Sequence, residues 1–103
     1  MTDDEVFAAL ADPTRRRVLD LLAAQGDGTA TTLAAELPVS RPAVVKHLAV
    51  LDRAGLVEGR RRGREVRFAV RPERLDAVAG RMADIAAEWD ARLNAIKRAA
   101  EGV

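Results

Sequence analysis

Between Thr29 and Gly55 the chain carries two helical patterns with almost nothing between them. Thr29 is a good cap for a short helix over residues 30–37, with Leu33, Ala34 and Leu37 facing inward. Pro38 stops that helix, and only Pro38 and Val39 precede Ser40, a good cap for the next one. This second helix spans about 41–54, with Val44, Leu48 and Leu51 at spacings of four and three, and Gly55 stands where a terminating glycine belongs. Two short helices across so tight a turn form a helix-turn-helix.

The punctuation continues on both sides. Asp12-Pro13 reads as a cap followed by proline at the first helical position, opening a helix to about Ala24. Val18, Leu19, Leu21 and Leu22 are its buried positions, and Gly26-Asp27-Gly28 ends it. After Gly55 the period changes to two. Leu56 and Val57 lead into a basic stretch, after which Val66, Phe68 and Val70 alternate with Arg67 and Ala69. This predicts a two-stranded ribbon over 56–70, turning at Arg62-Gly63, with Arg60, Arg61, Arg62 and Arg64 at its tip. Pro72 opens the last helix, near 73–100. Its apolar positions Leu75, Val78, Met82, Ile85, Trp89, Leu93, Ile96 and Ala100 make an unbroken stripe. At 1.5 Å per residue this helix is roughly 40 Å long, more than a body of about 70 residues covers on one side. Part of the stripe therefore faces something else, and a second copy of the chain is the simplest candidate.

Composition agrees. The 103 residues suit one domain, and 21 of them are alanine, the best helix former, so the protein is mainly α with a small β-hairpin. The remaining 29 bulky apolar residues give a modest core, which a partner subunit would help. The net charge of +1 says little, but its distribution says more. Residues 1–40 carry net −4, residues 41–74 net +6 and residues 75–103 net −1. A basic middle between acidic ends is the footprint of a surface that meets a polyanion. No cysteine is present, which excludes disulfides, thiolate metal sites and thiol redox sensing. No apolar run is long enough to span a membrane, and the start Met-Thr-Asp-Asp-Glu is acidic where a signal peptide is basic, so a cytoplasmic location is expected.

The order of elements, with a basic hairpin after the helix-turn-helix, is that of a winged helix. A helix of this kind fits the major groove of DNA, with its first turns at the base edges and phosphates. Arg41, Pro42, Val45 and Lys46 fall on the side away from the Val44–Leu48–Leu51 stripe. Arg41 is a candidate for a bidentate contact to guanine or, equally, a phosphate contact, and Lys46 for a phosphate contact. Val45 either meets a thymine methyl or is half-buried. Ser40 caps the helix and is also within reach of a phosphate. The wing arginines reach the flanking backbone or the minor groove. The competing reading is a winged helix used only for protein contacts, with no DNA bound. Arg15, Arg16 and Arg17 sit in the first turn of their helix, where the dipole disfavours cations. They form a solvated face, pair with Asp12 or Asp20, or reach phosphates. His47, the sole histidine, reads as a packing or phosphate-contact residue. It lies about 10 Å from Ser40, too far for a nucleophile and base, and no catalytic set is present, so an enzyme is not expected. Trp89 is either an anchor of the dimer core or the wall of a ligand pocket, and no residue pattern marks an inducer site.

The segment from Phe7 through Asp12-Pro-Thr-Arg-Arg to Leu22, together with Leu33-Ala-Ala-Glu-Leu37 and Val39-Ser-Arg-Pro-Ala-Val-Val-Lys-His-Leu-Ala-Val-Leu-Asp-Arg-Ala-Gly-Leu-Val57, resembles the ArsR/SmtB family of bacterial winged-helix repressors. The resemblance covers nearly the whole chain. It implies a homodimer that represses transcription at a near-palindromic double-stranded operator and releases it on a signal. It also implies dimer contacts from the first and last helices, here Val6, Phe7 and Leu10 with Leu75, Val78, Met82, Ile85, Trp89, Leu93 and Ile96. On this reading residues 1–103 are one DNA-binding domain. Residues 1–11 and 73–101 serve dimerisation, 29–54 the helix-turn-helix and 56–70 the wing. The family's metal sensors use cysteine on the helix before the recognition helix, or Asp, His and Glu on the last helix. Here the former holds no cysteine, and the latter offers Asp76, Asp84 and Glu88 without histidine. Trp89-Asp-Ala-Arg-Leu93 resembles the non-metal branch, so no metal or other cofactor is expected.

Overall fold

Asp12 is the joint on which the first half of the chain turns. In the computed structural model, which describes residues 2–102, helix α1 (Asp3–Ala11) ends at this residue and α2 (Pro13–Gln25) begins after it. The Asp12 carboxylate accepts from the backbone N–H of Thr14 (2.7 Å) and Arg15 (3.2 Å), and Pro13 supplies a first helical residue that needs no partner. The Arg15 N–H, then that of Thr14 and the nearby Arg15 charge, hold the Asp12 carboxyl below its ordinary value. Of the arginines at the start of α2, Arg15 makes the expected pair with Asp12 (3.7 Å), and Arg15 and Arg16 also serve α1. Arg15 donates to the carbonyls of Ala9 (2.7 Å) and Ala8 (3.1 Å), and Arg16 to those of Leu10 (2.6 Å) and Ala11 (3.3 Å). They satisfy carbonyls that α1 leaves open and meet its negative end.

Helix α3 (Ala30–Ala34) starts from a reciprocal cap, in which Thr29 and Thr32 each accept from the other's backbone N–H. It is shorter than the 30–37 predicted. Glu36 N–H turns back to the Leu33 carbonyl (3.0 Å), tightening the last turn, and Leu37 still reaches the core. Helix α4 (Arg41–Arg53) follows the Ser40 cap. Its end is a complete glycine-terminated motif: Gly55, at φ 76°, donates to the Asp52 carbonyl (2.9 Å), and Leu56 to that of Leu51 (2.9 Å). Val18, Leu22, Leu33, Val44, Leu48, Leu51 and Leu56 pack together as the centre of the core, with Val6 and Ala9 of α1 on one side.

Strands β1 (Val57–Arg62) and β2 (Glu65–Val70) pair antiparallel, Val57 opposite Val70 and Arg62 opposite Glu65. The hairpin turn is therefore Gly63-Arg64, one residue later than predicted. Gly63 takes the first turn position at φ 61°, which it adopts without strain. Gly59 faces Phe68 across the ladder, and a methyl group there would lie 2.8 Å from the ring. Gly28 adds a short third rung, exchanging both backbone bonds with Phe68 (3.0 and 2.8 Å).

Helix α5 (Pro72–Glu101) is thirty residues long. Only Val78 is buried along it, with Leu75 partly so, and Arg81 pairs with Asp3 of α1 at 2.6 Å. Beyond that point it leaves the body, which gives the chain an extent of 70 × 25 × 21 Å. Met82, Ile85, Trp89, Leu93 and Ile96 form the exposed stripe, and Phe7 is exposed on α1. Two residues assigned above to a dimer surface, Val6 (0% exposed) and Val78 (3%), are buried in the chain's own core. Leu10 and Leu75 are partly spent in the same way. No helix among the described residues is long and apolar enough to cross a membrane.

Candidate nucleic-acid interface

The alternation of buried and exposed positions along α4 creates a face. Val44, Leu48 and Leu51 are 0 to 1% exposed and hold the helix down, which turns Arg41, Pro42, Val45 and Lys46 outward. The Ser40 hydroxyl accepts from Ala43 N–H (3.3 Å), so the cap role stands. Val45, left above between a base contact and half-burial, is 44% exposed, a large apolar side chain on the open face. His47 is half-buried on the flank, and its charge adds a small contribution to the lowering at Asp12.

The wing is held rather than loose. Arg67 makes a two-pronged contact to Asp27, with Nη2 at 2.8 Å and Nε at 3.2 Å, and a second pair to Glu65 at 3.3 Å. The Arg67 hydrogen bond, with smaller help from the charges of Arg67 and Arg62, depresses the Asp27 carboxyl. With the Gly28–Phe68 rung, these contacts fasten β2 to the loop before α3. Neither Asp27 nor Arg67 was singled out from the sequence. The only available signal was an acidic residue set between two glycines.

The four tip arginines do not act as one cluster. The register places Arg60 and Arg62 on the Glu58–Arg67 face of the ribbon, while Arg61 shares the face of Val66 and Phe68. Arg64 stands in the turn. All four are exposed, and Arg60 alone has an ion-pair partner among the described residues, Glu58 at 3.6 Å. An exposed pair at that distance holds little.

Between α3, α4 and the wing lies an open cleft of about 450 Å³, walled by Thr31, Arg41, Val45, Arg64, Val66 and Phe68 among others. The structure thus brings the start of α4 and the wing turn to one side of the molecule. The dimer candidates on α5 lie elsewhere, along a helix that leaves the body. Among the described residues no three His, Cys, Asp or Glu side chains gather as a metal site would need.

Comparison with known proteins agrees with this architecture. The helix-turn-helix domain family matches residues 10–60. The transcriptional repressor SdpR of Bacillus subtilis is 37% identical over 67 residues, covering 65% of this chain and 73% of that protein. An ArsR-like transcriptional regulator from Rhodococcus sp. RHA1 superposes with a TM-score of 0.83 at 46% identity, over 92% of this chain and 89% of the other. The homodimeric winged helix-turn-helix DNA-binding domain Mb0332 of Mycobacterium bovis superposes with a TM-score of 0.66 at 28% identity, over 82% and 77%.

Proposed function

The chain belongs to the ArsR family of winged helix-turn-helix transcriptional regulators, and we propose that within it the protein is a homodimeric, sequence-specific repressor. The observation that carries this reading is the cleft side of the molecule. There the exposed first turns of α4 stand beside the wing turn, where Arg64 has no ion-pair partner among the described residues. Exposed arginine side chains left free to bind outward are matched to phosphates, and an exposed helix start is matched to the major groove.

On this reading Arg41, Pro42, Val45 and Lys46 enter one major groove per subunit, and the wing grips the flanking backbone. The α5 stripe closes the two-fold pair, which sets half-sites about 34–36 Å apart on a near-palindromic operator. The homodimeric state of the Mb0332 domain and the repressor role of SdpR support the assembly and the direction of control. Cysteine- or histidine-based metal sensing is not part of the reading, because the sequence holds no cysteine and its one histidine lies on α4. Residues 29–54 and 56–70 would read and grip, while 1–11 and 73–101 would pair.

The test is a mobility shift with a random 30-base-pair duplex at low salt, followed by selection of bound fragments from a random pool. Weak binding to all duplexes, lost steeply as salt rises, and enrichment of an inverted repeat are expected. No shift at low salt would leave a protein-contact module as the better description.

A further inference from the structure

One polar contact in the cleft was not anticipated from the sequence. Arg41 Nε donates to the Thr31 hydroxyl at 3.1 Å, linking the first residue of α4 to the exposed side of α3. We propose that Thr31 is a positioning residue for base recognition: it holds Arg41 so that the two outer nitrogens of the guanidinium meet the O6 and N7 atoms of a single guanine. This inference rests on the DNA-binding reading above and deepens it.

Arg41 differs from the arginines that the fold engages. Arg15 and Arg16 spend their donors on the open carbonyls of α1, and Arg67 spends its donors on two carboxylates. Each of these contacts serves the fold. Arg41 stands at the positive end of α4, where a cation gains nothing from the helix. Among the described residues its single partner is a neutral hydroxyl, reached through the inner nitrogen. Nη1 and Nη2 remain uncommitted, with their N–H groups in the fixed planar fork that matches two adjacent acceptors. In the major groove that acceptor pair is the guanine O6 and N7. With Nε already engaged, only the end-on approach is open, so the hydroxyl selects one geometry. A side chain held before binding also loses less freedom on contact. Thr31 suits this task because its branched Cβ restricts χ1 more than serine would. Val45, four residues on and on the same face, lines the same cleft.

The test uses the full-length protein and the duplex it selects from a random pool, with each base pair of one half-site then substituted in turn. Arg41→Ala is expected to lose about 10-fold selectivity at one guanine position and little elsewhere. Thr31→Val keeps shape on an exposed site and removes the hydroxyl that accepts from Arg41. It is expected to lose about 3- to 10-fold at that same position, with Thr31→Ser retaining most of it. In an Arg41→Lys background, which lacks Nε and the fork, Thr31→Val should add nothing. Undiminished selectivity in Thr31→Val overturns the inference, as does a uniform loss over all duplexes, which marks a phosphate contact or a structural role. Failure of the wild type to select any sequence refutes the DNA reading itself and is thereby distinguished.

Discussion

Leu93→Asp tests whether the α5 stripe joins two copies of the chain. Met82, Ile85, Trp89, Leu93 and Ile96 are between 46 and 64% exposed, so about half of each side chain is left to cover. Full burial of a side chain of this class is worth about 1.5–3 kcal/mol, so covering the remaining half contributes about 1 kcal/mol at each position. Over the ten side chains of a two-fold pair that amounts to roughly 10 kcal/mol. Association itself costs about 4–15 kcal/mol, a quantity of the same size, so one substitution can shift the balance. Symmetry applies Leu93→Asp twice. The lost burial alone is then about 2 kcal/mol, or about 30-fold in the dimer dissociation constant, before the two carboxylates are counted. Sedimentation equilibrium measures this directly. Ala91→Asp, on the opposite face of the helix, is the matched control and leaves the constant unchanged. Equal effects of the two substitutions, or a wild-type protein that sediments as a monomer at micromolar concentration, would refute the reasoning.

Three further outcomes are expected. Leu48→Ala, at a position 1% exposed on the inner side of α4, destabilises the protein by about 2–5 kcal/mol in urea unfolding. The folded-state values of Asp12 and Asp27 are depressed below the ordinary 3.8, so their stabilisation is full above that value and is lost as pH falls through the lower folded values. Thermal unfolding followed from pH 6 to pH 2 shows this as a decline that Asp12→Asn and Asp27→Asn make shallower. Arg62→Ala and Arg64→Ala each reduce the dependence of log affinity on log salt by about 0.9, measured on random duplex DNA, if each touches one phosphate. A slope unchanged in both variants removes the wing from the interface.

What could be read in advance was local. Asp12, Ser40 and Gly55 act within a few residues of themselves, and each cap forms as its residue type dictates. The face of α4 was legible for the same reason, since Val44, Leu48 and Leu51 share a stripe. The hairpin turn fell one residue off because Arg62, Gly63 and Arg64 satisfy alternation in either register, and only the pairing of Val57 with Val70 decides between them. Contacts that span the chain left no pattern. Asp27 and Arg67 are forty residues apart, and so are Gly28 and Phe68. Periodicity marked the α5 stripe but carried no information on what covers each member. Val78 therefore looked the same as Trp89, although one lies in the core and the other in solvent. The pairing of Arg15 with Asp12 was legible, three residues away, whereas the carbonyls that Arg15 and Arg16 also meet belong to the preceding helix and left no local signal.

The fastening of β2 to residues 27 and 28 has a mechanical consequence. Those residues lie immediately before Thr29, from which α3 springs, and α3 is in turn tied to α4 through Arg41. Tilting the hairpin would strain this whole chain of bonds, so the ribbon and α4 are coupled as one plate rather than as a finger beside a palm. If two copies pair on a duplex as proposed, the spacing and angle between their plates is a lever that leaves each plate intact.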